Sequence, residues 1–528
     1  MTLLPNLVYY KICILPNTYS DSINPQPISD TGGIVIFSTE LFRSIVNDRV
    51  SHPERTNATF ERVREVLEIV LGDNATAVVE KCAEGIIDNR IGLDDENGKR
   101  ITGIIGSECS PHQIRSIASL LMDCEISTQE AIDVHERYKI PVSKLEKDII
   151  PIRGDGAWII DSRGRAYLDL DSNYSATNLG MNNPEIAVGL FNQAMQLISM
   201  KEDRVHIPRT RFLKEIHDMM PEGLHHFYWQ NSGGEAVDKS LKIAKAHTGH
   251  KGVVAFKGGF HGRTHGAVAV THEPKYREPF FLDEQDWSHF VDFNDADAVE
   301  QLFKDGKVRT VILEIVQGEE AGIRPAERDF PKKLREICDR YDGVMIVDEI
   351  QSGFGRTAEK EGQWFSCMVY DVVPDIITIG KSFGGGYPVT AVVTNNKVSN
   401  SMKPGYDGST FGGNPMAMVA ARLATRQMKE QNITRNVVQR SKQIFNGLND
   451  LKDKYGIVND TRGIGLMIAF ELTSSEMVSQ FQSNMAKNGV KTSLSTREWA
   501  RFLPPLIMTE SDTDFLLNAI DKSLAPIT

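Results

Sequence analysis

The stretch Val344-Met345-Ile346-Val347-Asp348-Glu349-Ile350-Gln351 decides the fold. Four apolar residues run without alternation into an acid pair. A continuous apolar run marks a strand buried on both faces, as in a parallel sheet covered by helices. The acid pair then places Asp348 at the carboxyl edge of that sheet, where open α/β folds bind their ligands. Taken alone, the same signal also fits a helix-capping or surface aspartate.

A second apolar run follows, Asp375-Ile376-Ile377-Thr378-Ile379-Gly380. It ends at Lys381 and enters Ser382-Phe383-Gly384-Gly385-Gly386. A lysine at a strand end beside a glycine run is poorly explained as a solvated charge. Desolvated, its amine becomes a nucleophile towards carbonyls, and the glycines admit a bulky group close to the backbone. A phosphate-gripping lysine of a nucleotide site is the alternative, but the GxxxxGK pattern is absent. A carboxylate buried at 348 needs a cationic partner, which a protonated pyridine nitrogen would supply.

Working outward, runs at 253–256 and 310–315 repeat the strand pattern, and helical periodicity covers 235–247, 331–341 and 416–431. The alternation predicts a large α/β domain with a mostly parallel sheet sandwiched by helices. Beyond about residue 414 helices and strands mix, and 463–470 reads as one strand, which suggests a smaller α+β domain. Asn231-Ser232-Gly233-Gly234-Glu235 opens a helix whose free amides form an anion site for a phosphate. Phe256-Lys257-Gly258-Gly259-Phe260-His261-Gly262-Arg263 sets an aromatic that can stack on a flat ring beside an arginine that can fork a carboxylate. Each of these two also has a bland reading: a common helix start, or a core phenylalanine and a surface ion pair.

With 528 residues, two or more domains are expected, and a formal net charge of -12 argues against nucleic acid as a partner. Six scattered cysteines without a CxxC pair suit free thiols in a reducing compartment rather than zinc. No apolar run is long enough to span a bilayer, and the N-terminal stretch is broken by Pro5 and Lys11, so a cytoplasmic protein is expected. Residues 1–126 read as a mainly helical accessory domain without catalytic residues. Helices are expected at 39–50, 58–70, 76–87 and 110–122, with a polar, turn-rich stretch at 91–100.

Together, in this order, these segments resemble the class III (ω-) aminotransferases of pyridoxal-phosphate fold type I, and several details are similar to the ornithine δ-aminotransferases. The resemblance runs from about residue 127 to 525, and implies an aminotransferase region at 127–528, with a large cofactor-binding domain at about 180–415 and a small domain formed by about 127–179 and 416–528. It implies that Lys381 holds pyridoxal 5'-phosphate as a Schiff base and shuttles the proton, while Asp348 pairs with the pyridinium nitrogen. Gln351 would bond the ring hydroxyl, Phe260 would stack on the ring, and Gly233 and Gly234 would hold the phosphate. Ser409 and Thr410 match a segment that reaches the neighbouring subunit's phosphate, which implies a homodimer with active sites at the interface. For substrates, Arg501 matches the arginine that takes the α-carboxylate of glutamate, and Glu319 the acid that masks it when an ω-amine binds. Arg263 would take the other carboxylate, and Tyr174 would orient the donor.

The sequence departs from the pattern at Gly234, where a larger residue is usual, and at Met181, Asn183 and Asp407, where histidines are common. It departs again at Asp171, a carboxylate where an apolar residue is usual. The implied reaction moves a terminal amino group from ornithine or a similar donor to 2-oxoglutarate, giving a semialdehyde and L-glutamate. N-acetylornithine, lysine, 4-aminobutyrate or a diamine are alternative donors. Decarboxylation or an amino shift on the same cofactor, and a non-catalytic binding module, are the readings outside amino transfer.

Overall fold

A computed structural model of the chain describes residues 60–71, 74–84, 96–110, 113–114, 117, 128–283, 285–495 and 497–527. Within them the Val344–Asp348 run is the central strand of a seven-stranded sheet. In chain order its strands are β1 (His226–Gln230), β2 (Val253–Phe256), β3 (Ser288–Val291), β4 (Thr310–Leu313), β5 (Val344–Asp348), β6 (Ile376–Ile379) and β7 (Thr390–Thr394). Their order in space is β1-β7-β6-β5-β4-β2-β3. Pairing is parallel from β6 through β3; β7 alone runs against its neighbours. Every residue of β2, β4, β5, β6 and β7 is buried, as continuous apolar runs require when helices cover both faces.

The helices expected at 235–247, 331–341 and 416–431 are α1 (Gly233–Thr248), α2 (Phe330–Arg340) and α3 (Pro415–Glu430). Ser232 starts α1 with a reciprocal capping box to Glu235, and Gly249 stops it at φ +64°. Asn414 caps α3 through Ala417 N, with Pro415 in the first turn.

One expectation fails in the C-terminal part. Residues 463–470 are a hairpin of Val458–Ile464 and Met467–Leu472, not one strand. Gly465 lies at φ +59°, and a Cβ there would sit 2.3 Å from the Arg356 carbonyl oxygen. The turn therefore needs glycine, a need that the apolar run around it conceals. Trp499–Phe502 completes this three-stranded sheet. Pro151–Asp155, Trp158–Asp161 and Ala166–Asp169 form another sheet with the distant Val490–Lys491.

The chain divides into two compact units, Met1–Met122 and Asp123–Thr528. The described part of the first is helical: Phe60–Leu71, Ala75–Ala83 and Glu96–Glu108, with Val66, Leu67, Cys82 and Ile105 almost fully buried. The third helix corrects the turn-rich reading of 91–100, since residues 96–100 open it. Ile101 and Ile105 bury against the unit's core, and Arg100 donates to the carbonyls of Lys81 (2.8 Å) and Cys82 (3.1 Å) at the end of the preceding helix. Tertiary packing outweighs the polar composition there. Ser110 Oγ accepts from Gln113 N at 3.3 Å, and Gln113, Ile114 and Ile117 are helical. The helix expected at 39–50 lies outside the described residues, as does the rest of 110–122. Among the described residues no helix is long and apolar enough to cross a membrane.

Candidate active site

At the carboxyl edge of the sheet, β5 and β6 lie in a register that sets Asp348 opposite Thr378. Lys381 follows β6 and opens a short 3-10 turn, Lys381–Gly384. Both side chains line one cavity of about 770 Å³. Asp348 is 5% exposed. Its Oδ1 accepts from Thr378 Oγ1 (2.9 Å) and Ile350 N (3.1 Å), and its Oδ2 lies 2.9 Å from His261 Nδ1. A carboxylate has about four lone-pair sites, so Oδ2 keeps capacity for one more donor. Burial disfavours a charged His261, but the hydrogen bond and charge of Asp348 outweigh it and raise the ring's pKa.

Lys381 sits at φ +48°, a conformation that costs a non-glycine residue free energy and is tolerated at functional sites. Its amine makes no ion pair or hydrogen bond among the described residues. Burial, then the Arg501 guanidinium, push its pKa down to about 8, against the pull of Asp348, Glu314 and Asp171. That is the state of an amine nucleophile.

The wall beside this pair is the start of α1. The capping box takes up Glu235 N and Ser232 N, while the first amides of the helix, on Gly233 and Gly234, have no acceptor within it. A Cβ at Gly234 would stand 3.0 Å from Thr264 Cγ2 and Oγ1, so the missing side chain lets the loop carrying Phe260 close onto the helix end. Thr264 Oγ1 is buried there beside the Asp238 carboxylate. This is a cradle for an anion.

Across the cavity, Ser172 to Ser175 form a left-handed turn, with φ of 45°, 49°, 57° and 75°. Left-handed residues cost about 1–2 kcal/mol each, so the turn has to be held. Asp169 Oδ1 and Oδ2 accept from Asp171 N (2.9 Å) and Ser172 N (3.1 Å). Ser172 Oγ donates to the Leu503 carbonyl at 2.6 Å, and buried Arg356 donates to Ser175 Oγ at 3.0 Å. The turn lays the Tyr174 ring against Arg501, whose guanidinium carbon lies 4.8 Å from the ring centre. Arg501 is 3% exposed, and its Nη2 lies 3.1 Å from Ser493 Oγ and 3.8 Å from Asp171 Oδ1. Arg263 stacks on Tyr276 at 3.7 Å and forms no ion pair with a carboxylate among the described residues.

Of the residues singled out from sequence, Tyr174, Gly233, Gly234, Phe260, Arg263, Asp348, Gln351, Lys381 and Arg501 all line this cavity. Ser409 and Thr410 do not; they lie on a loop where the Ser409 carbonyl accepts from Glu202 N at 3.3 Å. The Glu319 side chain lies outside the described residues. Asp171 is no part of the cavity wall; it stands behind Arg501. Asn183 and Asp407, at positions of common histidines, have local duties: Asn183 caps Pro184–Ala194, and Asp407 pairs with Lys239 and Lys242.

Sequence reasoning missed His261, Glu314, Tyr276 and Arg497, which share the cavity. Glu314 was findable, because it ends the apolar strand β4 as Asp348 ends β5. Burial pushes its pKa up to about 7, and it accepts from Phe260 N at 2.8 Å. Tyr276 and Arg497 reach the site from loops distant in sequence and carry no local signal. Glu273 and Glu320 flank Arg497 at 3.0 and 3.5 Å.

Residues 141–524 match the model of the family described as aminotransferase class-III. The chain belongs to that family. This aminotransferase is 33% identical to the acetylornithine aminotransferase of Archaeoglobus fulgidus over 72% of its own length and 96% of the relative's. It is 34% identical to the [LysW]-aminoadipate semialdehyde/glutamate semialdehyde transaminase of Sulfurisphaera tokodaii, over 72% and 95%. Its fold matches the ornithine aminotransferase of Toxoplasma gondii ME49 with a TM-score of 0.71 at 25% identity, covering 76% of this chain and 96% of that one. The enzyme is thus a fold type I aminotransferase, and its cofactor is pyridoxal phosphate. The residues present fit that group: an acid with spare acceptor capacity, an unpaired buried amine, and a helix end with free amides share one cavity.

Proposed function

We propose that this aminotransferase takes a terminal amino group from an ornithine-type ω-amine and passes it to 2-oxoglutarate, giving a semialdehyde and L-glutamate. The observation that carries the reading is the pair of unlike arginines. Arg263 has no carboxylate partner among the described residues, whereas Arg501 already has Asp171 beside it. A donor with one carboxylate and a distant amine needs one cationic receptor, and Arg263 offers it. A dicarboxylate acceptor needs a second, and Arg501 offers that.

Pyridoxal phosphate, when bound, supplies an aldehyde to carry the amino group and a ring to take up electrons from the substrate's C–H bond. The chain does the rest. Asp348, steadied by His261 and Thr378, holds negative charge at the ring-nitrogen end, and Gly233 and Gly234 amides hold the phosphate. Phe260 walls one side of the cavity, and Gln351 reaches in from the end of β5. Lys381, neutral in part near pH 8, anchors the cofactor and carries the proton between substrate carbon and cofactor. Tyr174 and Arg263 orient the donor so that its terminal amine, not its α-amine, reaches Lys381.

N-acetylornithine is the second reading, favoured because the acetylornithine enzymes of Archaeoglobus fulgidus and Methanopyrus kandleri are 33% and 34% identical to this chain. A homodimer is part of the proposal. Val188, Phe191, Met195, Ile198, Val205, Ile207 and Phe411 are each more than half exposed, and Glu202 N of that segment donates to the Ser409 carbonyl; a second copy would cover these apolar side chains. Ser409 and Thr410 would then complete the partner's phosphate site. Buried free thiols at Cys82, Cys109, Cys338 and Cys367 suit a reducing cytoplasm.

The test is a donor panel of ornithine, N-acetylornithine, lysine, 4-aminobutyrate and putrescine, with glutamate measured as product. Ornithine is expected to give the fastest turnover; turnover confined to N-acetylornithine would establish the second reading. Arg263→Gln is expected to raise the donor KM and Arg501→Gln the acceptor KM, each by about ten- to a hundredfold.

A further inference from the structure

Two segments distant in sequence from each other meet behind Arg501. Asp171 precedes the left-handed turn, Lys491 and Ser493 come from the end of Val490–Lys491, and Arg501 lies on Trp499–Phe502. Asp171 is 8% exposed and absent from the cavity wall, although Asn173 and Tyr174 beside it are on that wall. Its Oδ1 accepts from Ser493 Oγ and from Tyr174 N at 3.4 Å. Its Oδ2 lies 3.6 Å from Lys491 Nζ. Asp171 thus reaches Arg501 twice, directly at 3.8 Å and through Ser493 Oγ, which accepts from Arg501 Nη2 at 3.1 Å.

A buried guanidinium is costly unless a counter-charge stays with it. An acid that enters the cavity can supply that charge only by leaving when a ligand carboxylate arrives. Asp171 stands on the far side of Arg501 and has no need to move. Its charge still reaches through the guanidinium and opposes any carboxylate in front. We propose that Asp171 is a fixed counter-ion that sets how tightly Arg501 grips a carboxylate, and so sets the site's preference between ligands with one carboxylate and ligands with two. Asp171 acts through Arg501 and is a positioning residue. The proposal deepens the functional reading above in taking Arg501 as the second carboxylate receptor.

The experiment titrates the cofactor-loaded enzyme calorimetrically with glutarate, which has two carboxylates, and with butyrate, which has one. Neither can be transaminated. Asp171→Asn keeps the shape and the acceptor oxygen for Ser493 and Tyr174 N while removing the charge. Glutarate is expected to bind this variant about fivefold more tightly than the parent, and butyrate to stay within about twofold. The glutarate gain is expected to vanish in the Arg501→Gln background. Unchanged or weaker glutarate binding, or an equal gain for both ligands, overturns the proposal. Should Asp171→Asn fail to fold or load, Lys491→Gln takes its place: with less cation to offset Asp171, glutarate is expected to bind about two- to threefold more weakly and butyrate unchanged, and no change in glutarate overturns the proposal. A donor panel without turnover would sink the functional reading but leave these titrations to be judged on their own.

Discussion

His261 Nδ1 lies 2.9 Å from Asp348 Oδ2, with the two side chains 1% and 5% exposed. His261 lies in the loop that follows β2 and Asp348 is the last residue of β5, so the acid is held from two directions. Removing His261 leaves a buried carboxylate short of one charge-assisted bond. His261→Asn is expected to weaken cofactor retention by about ten- to a hundredfold, read from the visible absorbance left after dialysis. Asp348→Asn is expected to cut kcat by about a hundredfold or more. If Asp348→Asn matched the parent in both measurements, Asp348 would have no part in holding the ring; unchanged retention in His261→Asn would show that His261 does not steady it.

Lys381 titrates near 8 because burial and Arg501 penalise its charged form. Only the neutral amine attacks the cofactor aldehyde. The rate of cofactor capture by the apoenzyme should therefore rise with pH through about 8 and level off above it, well before the ordinary lysine range near 10.4. Stopped-flow loading across pH 6.5–10 (roughly the range over which both cases differ) reads this directly. A rate still climbing at the upper limit would mean that the amine is not desolvated. Lys381→Ala is expected to abolish capture.

Glu314 has its pKa pushed up to about 7 by burial, then by the charge of Asp348, while His261 pulls it down. The folded state thus holds a proton that the unfolded chain releases near 4.3. Stability from this group is present in full below the unfolded value and is lost as pH rises through about 7. Glu314→Gln cannot lose it. The Tm of the variant minus that of the parent should therefore increase from pH 5 to pH 8 (about the window set by the two pKa values), by an amount reflecting up to about 3 kcal/mol. A flat difference would place Glu314 in a more solvated or better-paired state.

Phe191 and Phe411 are 53% and 60% exposed. A charge on either would be desolvated in a dimer and harmless in a monomer. Phe191→Glu with Phe411→Glu is expected to leave a folded monomer by sedimentation, with unchanged far-ultraviolet circular dichroism and much weaker cofactor retention. A parent that sediments as a monomer would overturn the shared site.

Much of this protein was written in local order. The runs at 253–256 and 376–379 became strands with those limits, because continuous apolar residues between turn signals have few other outcomes. Asp348 and Lys381 were legible as strand-end residues, and Ser232 to Glu235 as a helix start. The failures share a cause. Residues 463–470 looked uniform although Gly465 had to turn, and 96–100 looked polar although Ile101 and Ile105 fasten that helix to a core.

What the sequence determined alone was the period and punctuation of its elements, and hence the parallel sheet and the edge at which an acid and an amine meet. Only the tertiary structure decided which side chains face one another across that edge. His261 found Asp348, and Asp171 came to stand behind Arg501 rather than in the cavity, because such contacts join segments tens to hundreds of residues apart. Local hydrophobic pattern fixes the extent and burial of a strand. The charge environment of a buried group depends on every chain segment folded around it, and no short window of sequence contains them all.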